Sequence, residues 1–154
     1  MKKMGVIGGI ISILFLSGCF HSTAARIVTD MYQAALGMDK ELVESYFSED
    51  YKEDNEPFTE VVEKLNVDVV NRQGVHLMHI TELTSSQLTE EAVQALNEDY
   101  QGEWSLVVAQ IDEDSLMAWI VQRGETQYYI MDGKEISNKE FNDILRKDTL
   151  RKGG

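Results

Sequence analysis

Residues 103–121, Glu-Trp-Ser-Leu-Val-Val-Ala-Gln-Ile-Asp-Glu-Asp-Ser-Leu-Met-Ala-Trp-Ile-Val, decide the fold of this chain. Two apolar runs, Glu103 to Ile111 and Ser115 to Val121, flank the acidic turn Asp112-Glu113-Asp114. Both faces of each run are apolar, which is typical of central strands that are covered on both sides. The stretch therefore predicts two antiparallel strands at the centre of a sheet, with protein packed against each face.

Further segments are predicted as strands. Thr126 to Met131 continues the sheet, and the dipeptide Asp132-Gly133 predicts a two-residue hairpin in which Gly133 has a positive φ. Upstream, the branched residues of Val67 to Val70 and of Val75 to Leu83 predict two strands, joined by a turn at residues 71–74. Together with residues 103–121, these segments form an antiparallel meander.

Apolar residues at helical spacing predict helices before this meander. Thr23 is predicted to cap a first helix that runs to Leu36, and Asp39 to cap a second, shorter one. After a polar break at residues 48–51, Pro57 is predicted in the first turn of a third helix.

Two more helices are predicted towards the C-terminus. One covers residues 86–100, capped by Ser86 or Thr89, and the last begins at the capping box Ser137-Asn138-Lys139-Glu140. The order of elements predicts an α+β fold, with N-terminal helices packed on a curved antiparallel sheet and a short C-terminal helix.

The N-terminus carries an export signature. Met1-Lys2-Lys3 precedes an apolar run, Met4 to Leu16, that is too short to cross a bilayer, which takes about 20 apolar residues. The run ends in Leu16-Ser17-Gly18-Cys19, which resembles the lipobox of a bacterial lipoprotein signal. The resemblance implies cleavage between Gly18 and Cys19 and acylation of the Cys19 thiol. An ordinary signal peptide with an incidental cysteine is the alternative.

These signals divide the chain into four parts. We expect a signal peptide at 1–18, a lipidated cysteine and short tether at 19–23, one α+β domain at 24–147 and a basic flexible tail at 148–154. The chain has one cysteine, so no disulfide can form within it and the fold depends on its apolar core. The predicted location is the extracytoplasmic face of the cell membrane, where acyl chains such as palmitate on Cys19 insert into membrane lipid.

The charge of the chain is strongly negative and unevenly distributed. There are 27 acidic and 14 basic side chains, for a net charge of −13. No lysine or arginine occurs between Arg72 and Arg123. Nucleic-acid binding is excluded because phosphate neutralisation needs a basic face. The C-terminal residues are basic instead, and we expect them either to approach anionic lipid or to remain a solvated terminus.

Residues with catalytic or metal-binding chemistry are few. His76 and His79 have an odd separation, which would place them on opposite faces of the predicted strand. Asp112 to Asp114 lacks the glycine and the distant glutamate of an EF-hand loop, and we expect a solvated turn there. Asp30 and His79 are the candidates for acid or base chemistry in a pocket. We predict no cofactor, no metal site and no enzymatic activity.

The predicted order of helices and strands resembles the NTF2-like or cystatin-like small lipoproteins of bacteria. The similarity lies in Ala24 to Tyr51, where a helix ends near Gly37-Met38-Asp39 and a second helix ends at an aromatic segment. The chain differs from that family in lacking a terminal Gly-x-Trp strand and in adding a helix after Ile136. The resemblance implies a binding or assembly module, with a minority of members using a pocket between helices and sheet.

The sequence thus favours a non-enzymatic lipoprotein whose acidic domain binds another protein of the cell envelope. Two alternatives stay open at this point. One is a small-ligand carrier or enzyme with an NTF2-like pocket. The other is an inhibitor or immunity lipoprotein that captures a cationic toxin or protease through its acidic surface.

Replacing Cys19 by serine should release the protein from membranes, because the thioether anchor cannot form on a hydroxyl. Membrane fractionation and intact mass measurement of parent and Cys19→Ser check this. A variant that stays equally membrane-bound, with no difference in mass beyond the substitution, would show that Cys19 is not lipidated.

Overall fold

A four-stranded antiparallel sheet lies at the centre of the computed structural model, which describes residues 22–145. The strands follow one another across the sheet in chain order: β1 (Thr81–Leu83), β2 (Trp104–Gln110), β3 (Ser115–Arg123) and β4 (Tyr128–Ser137). Strands β2 and β3 hold the two inner positions, so the prediction from residues 103–121 is confirmed.

Helices lie before, within and after the sheet in the described part of the chain. The first four precede it: α1 (Thr23–Leu36), α2 (Lys40–Ser45), α3 (Glu49–Asp54) and α4 (Phe58–Asn71). Short 3-10 helices at Val75–Leu77 and Ser85–Gln87 flank β1, and α5 (Glu90–Asp99) connects it to β2. After β4 come one α-helical turn, α6 (Asn138–Glu140), and a π-helical turn (Phe141–Leu145). The predicted α+β class is confirmed.

Two apolar cores lie on opposite faces of the sheet, because side chains alternate along each strand. The core on the α1 face includes strand residues Val107, Ala109, Met117, Trp119, Val121 and Ile130. The core on the α5 face includes Leu106, Leu116, Ala118, Ile120, Ile136 and Phe141. Because protein packs on both faces of the sheet, β2 and β3 carry apolar side chains on both faces, and this explains their apolar runs in sequence.

Capping side chains begin the helices, and two predictions about them were wrong. Ser22, rather than Thr23, caps α1 by accepting a hydrogen bond from the Ala25 amide at 3.1 Å. The predicted polar break at 48–51 is the start of α3, since Ser48 Oγ accepts from the Tyr51 amide at 3.2 Å. A serine cap followed by acidic residues is a helix start signal.

Other predicted helix starts agree with the structure or differ by one residue. Asp39 and Ser137 cap α2 and α6 as predicted, and of the two candidates Ser86 and Thr89 it is Thr89 that caps α5. Pro57 lies immediately before α4 rather than in its first turn. Its backbone is extended at that point, so the proline marks the boundary of the helix.

The strand predicted at Val67 to Val70 is wrong, because α4 continues to Asn71. Val67 and Val70 are apolar although they are 52% and 57% exposed. Because apolar residues lie on the solvent side as well as on the buried side of α4, the sequence lacks the usual amphipathic helical period there. The strand predicted from Val75 to Leu83 shortens to β1. Val75 and Met78, at helical spacing, are buried around the first 3-10 helix instead.

The predicted hairpin at Asp132-Gly133 is also wrong, because β4 runs straight through it. Asp132 pairs with Ile120 whereas Ile130 pairs with Val121, so Met131 is an extra residue that forms a β-bulge. The bulge shifts the alternation of β4. Gly133 lies opposite Trp119, and a Cβ atom there would overlap the Trp119 ring. The glycine is therefore required for space and not for a turn.

We expect Gly133→Ala to destabilise the domain by about 1–3 kcal/mol, because the new methyl group collides with Trp119 in a packed core. Urea unfolding of the single variants and of Gly133→Ala in a Trp119→Leu background measures this. The smaller leucine should remove most of the cost, as a double-mutant cycle reports.

Gly102→Ala is the matched control for this cycle. Gly102 has φ +83°, and no atom lies within 4 Å of where its Cβ would stand. Gly102→Ala should lower the free energy of unfolding through backbone strain alone, and Trp119→Leu should leave that loss unchanged. An equal cost for Gly133→Ala in both backgrounds would reject the steric explanation.

Candidate functional site

The space between the N-terminal helices and the sheet is filled by aromatic side chains. Trp119, Tyr32 and Phe47 are each no more than 1% exposed. The Trp119 indole nitrogen donates to Tyr32 Oη at 3.2 Å, and the Trp119 ring lies 5.8 Å from that of Phe47. Burial raises the pKa of Tyr32, so its hydroxyl stays neutral. Aromatic side chains thus fill the space around Trp119 between the N-terminal helices and the sheet.

The residues that the sequence offered for chemistry are dispersed on the surface. His76 is exposed in the first 3-10 helix, and His79 is exposed in the loop before β1 with φ 49°. Asp30 is exposed on α1. Within residues 22–145, no three His, Cys, Asp or Glu side chains are arranged to hold a metal ion.

The acidic turn between β2 and β3 uses its leading carboxylate to close itself. Asp112 Oδ1 accepts hydrogen bonds from the amides of Asp114 and Ser115, both at 2.7 Å, and Oδ2 accepts from the Ser115 hydroxyl. The bond from that hydroxyl, followed by those from the amides, lowers the pKa of Asp112. The turn is solvent-exposed, as predicted.

The predicted lipidation site Cys19, the predicted cleavage residue Gly18 and the predicted basic tail at 148–154 lie outside the described residues. None of the helices in residues 22–145 combines the length and the apolar character that a bilayer-spanning helix requires.

An exposed apolar surface lies where the end of α1 meets α4. We define the apolar surface as Leu36, Met38, Val67 and Val70, which are between 43% and 57% exposed. Asn66 joins the two helices, because its Nδ2 donates to the backbone oxygens of Ala35 at 3.1 Å and of Leu36 at 3.3 Å. Val67 and Val70 follow Asn66 by one and four residues along α4. Leu42 and Leu77, also exposed, lie on the adjoining elements.

A pocket of about 250 Å³ lies on the opposite face of the sheet, between α5, β3, β4 and the π-helical turn. We call it the α5 pocket. Its walls are the apolar side chains Leu96, Leu106, Ala118, Ile120, Ile136 and Leu145. Polar side chains from α5, β4 and α6 lie at its mouth: Asp99, Tyr100, Asp132, Lys134 and Glu140.

Hydrogen bonds fix the polar groups of the α5 pocket. The Tyr100 hydroxyl donates to Asp132 Oδ2 at 2.9 Å, and the Gly133 amide donates to Asp132 Oδ1 at 2.8 Å. Burial, followed by the hydrogen bond and charge of Asp132, raises the pKa of Tyr100, so the phenol stays a donor at neutral pH. Lys134 Nζ lies 4.0 Å from Glu140 Oε1.

A larger depression of about 740 Å³ lies near the start of α3 and the end of β3. It is wide and open to solvent, and its lining includes Glu49, Asp50, Glu103 and Arg123. Its lining is mostly charged and amide side chains, together with the larger side chains Tyr129 and Met131. The α5 pocket is smaller but has the apolar walls and convergent polar groups that are typical of ligand sites.

Sequence reasoning missed both the apolar surface and the α5 pocket. Val67 and Val70 were assigned to a strand, which concealed their exposure on a helix. Asp132 was assigned to a hairpin turn, which concealed that the bulged strand points it towards α5. Asp132, Lys134 and Ile136 at alternate positions were the available signal, since they mark one face of a strand.

Asp68 is the one acidic side chain that is buried in the described chain, at 7% exposure on α4. Lys64 Nζ lies 3.4 Å from Asp68 Oδ2 and 3.5 Å from Glu135 Oε2 of β4. Burial raises the pKa of Asp68, and the attraction of Lys64 offsets this only in part. Lys64, Asp68 and Glu135 together connect α4 to β4, and we interpret these ion pairs as a structural contact.

Comparisons of the chain with protein-family models, with curated proteins and with solved structures give no match. The candidate sites are therefore argued from the geometry and chemistry of their own residues.

We expect the stability advantage of Asp68→Asn over the parent to grow as pH rises from about 4 to 7. The Asp68 carboxyl has a raised pKa in the folded protein, so as pH rises it loses its proton in the unfolded chain before it does so in the folded one. The parent therefore becomes less stable as pH rises above the ordinary pKa range of aspartate. Asparagine carries no such charge. Urea unfolding at several pH values measures the difference, and a variant that loses stability relative to the parent as pH rises would show that the Lys64 pair outweighs burial.

Proposed function

We propose that the protein is a membrane-anchored extracytoplasmic lipoprotein whose α+β domain binds another protein of the cell envelope and catalyses no reaction. The lipobox ending at Cys19 supports the anchor. The apolar surface is the observation that carries the binding role, because exposed clustered apolar side chains favour protein–protein contact.

The position of the apolar surface suits a partner beyond the bilayer. The anchor precedes α1, whereas Leu36 lies in the last turn of α1 and Met38 follows the helix. A helix of 14 residues spans about 21 Å at 1.5 Å per residue. The Leu36 and Met38 part of the apolar surface therefore lies about one helix length from the anchored end of the domain.

The charge of the domain favours a partner with a basic rim. Residues 22–145 hold 26 acidic and 8 basic side chains. Such an excess accelerates encounter with a cationic surface and repels anionic ones. A cationic toxin or protease has the same chemistry, so the inhibitor or immunity role is the second candidate for this surface.

Site-specific photo-crosslinking in cells tests the proposal. A photoreactive phenylalanine analogue at position 70 of the full chain should give a discrete ultraviolet-dependent adduct. Leu36→Glu should abolish this adduct by placing a charge in the contact. Both positions are exposed, so the unfolding midpoint should stay unchanged.

Position 95 provides the matched control. Ala95 is exposed on α5, on the other side of the sheet, so the same analogue there should give no adduct and Ala95→Glu should leave the position-70 adduct intact. Identical products from both positions, no product from position 70, or a product made only of two copies of this chain would contradict the proposal.

A further inference from the structure

Ala118 creates the space of the α5 pocket. On the same face of β3, its neighbours Leu116 and Ile120 carry larger side chains, so the single methyl group leaves a gap beneath α5. A volume of about 250 Å³ equals the room of about eight liquid waters. That space accommodates a small ring or a short branched chain. Apolar walls favour such a group over water, at about 25 cal/mol for each Å² buried.

The charges at the mouth of the pocket do not balance. Asp99, Asp132 and Glu140 are three carboxylates, and Lys134 is the single cation among the lining residues. Lys134 lies nearest to Glu140. Within residues 22–145, no basic nitrogen lies within 4 Å of an Asp132 oxygen. A carboxylate oxygen can accept two hydrogen bonds, so Asp132 retains capacity after accepting from Tyr100 and the Gly133 amide.

From this combination we infer that the α5 pocket binds a small organic cation with an apolar body, of the arylalkylamine class. The apolar body lies against Leu106, Ala118 and Ile120, and the ammonium group donates to Asp132. Tyr100 positions that carboxylate. An alternative role of Asp132 and Lys134 is to prevent the edge strand β4 from pairing with another sheet. That role does not explain the cavity beneath these side chains.

Methyl NMR of the full chain in phosphatidylcholine nanodiscs tests the inference, with phenethylamine as the probe. Saturable shifts are expected at the methyl groups of Leu106, Ala118 and Ile120. Leu36 and Leu42, which are exposed elsewhere, should not shift. Phenethyl alcohol and phenylacetate have nearly the same shape with neutral and negative head groups, and they should bind more weakly, in that order.

Variants separate the apolar and the charged contributions. Asp132→Asn should weaken phenethylamine about tenfold, since it removes a charge-assisted hydrogen bond, and should leave the alcohol unchanged. Asp143→Asn, an exposed acid outside the pocket lining, should change neither. Ala118→Val should weaken all three probes by filling the cavity. Unchanged amide shifts along α1, which packs on the other face of the sheet, confirm that each variant is folded.

Three outcomes would overturn the inference. One is that the full chain shows no saturable shift. Another is equal binding of phenethylamine and phenylacetate, which would remove the role of Asp132. The third is binding that appears only in a chain ending at Leu145, because it would assign the pocket to residues 146–154.

Discussion

The ring of Trp119 lies across β4 at Gly133, and the rest of the domain is arranged around this contact. Trp119 comes from the inner strand β3 and extends over the edge strand, where any side chain larger than hydrogen would overlap it. The same ring donates to Tyr32 of α1 and meets Phe47 edge to face. One side chain thus connects β3, β4 and the N-terminal helices, in a core that is close-packed and intolerant of added volume.

This packing separates the two faces of the sheet into two cores of different character. On the α1 face, aromatic rings pack closely around Trp119. The bulge at Met131 points Asp132 and Lys134 towards α5, where the small Ala118 leaves a cavity. Outside the first core, the helices leave Val67 and Val70 exposed. Both proposals depend on this division, with protein contact on the outer side of the α1 layer and a small ligand on the α5 face.

Sequence patterns correctly predicted the helices and strands whose local sequence pattern matches the burial of their side chains. The two-sided apolar runs at 103–121 predicted the central strands, and Asp39, Thr89 and Ser137 predicted helix starts. The failures have physical causes of their own. Apolar side chains that face solvent, at Val67 and Val70, removed the helical period. The local sequence around Gly133 predicts a turn, but the structure needs a glycine there because the Trp119 ring leaves no room for a side chain. That contact joins two strands, so a local sequence pattern cannot reveal it.

The sites were harder to predict than the fold, because each combines residues that are distant in sequence. The α5 pocket brings Tyr100 to Asp132, 32 residues apart, and the apolar surface joins α1 to α4 through Asn66, 30 residues beyond Leu36. The lipobox was predictable because it is a contiguous signal at one end of the chain. It remains a prediction, as does the partner that the anchored domain would bind.

A nuclear Overhauser spectrum tests the position of Trp119 most directly. We expect cross-peaks between the Trp119 ring protons and the α protons of Gly133. The ring current should displace those α protons upfield. We also expect a cross-strand contact between the backbones of these two residues. Gly133 α protons at ordinary shifts, with contacts only to adjacent residues as in a turn, would contradict the central role of Trp119.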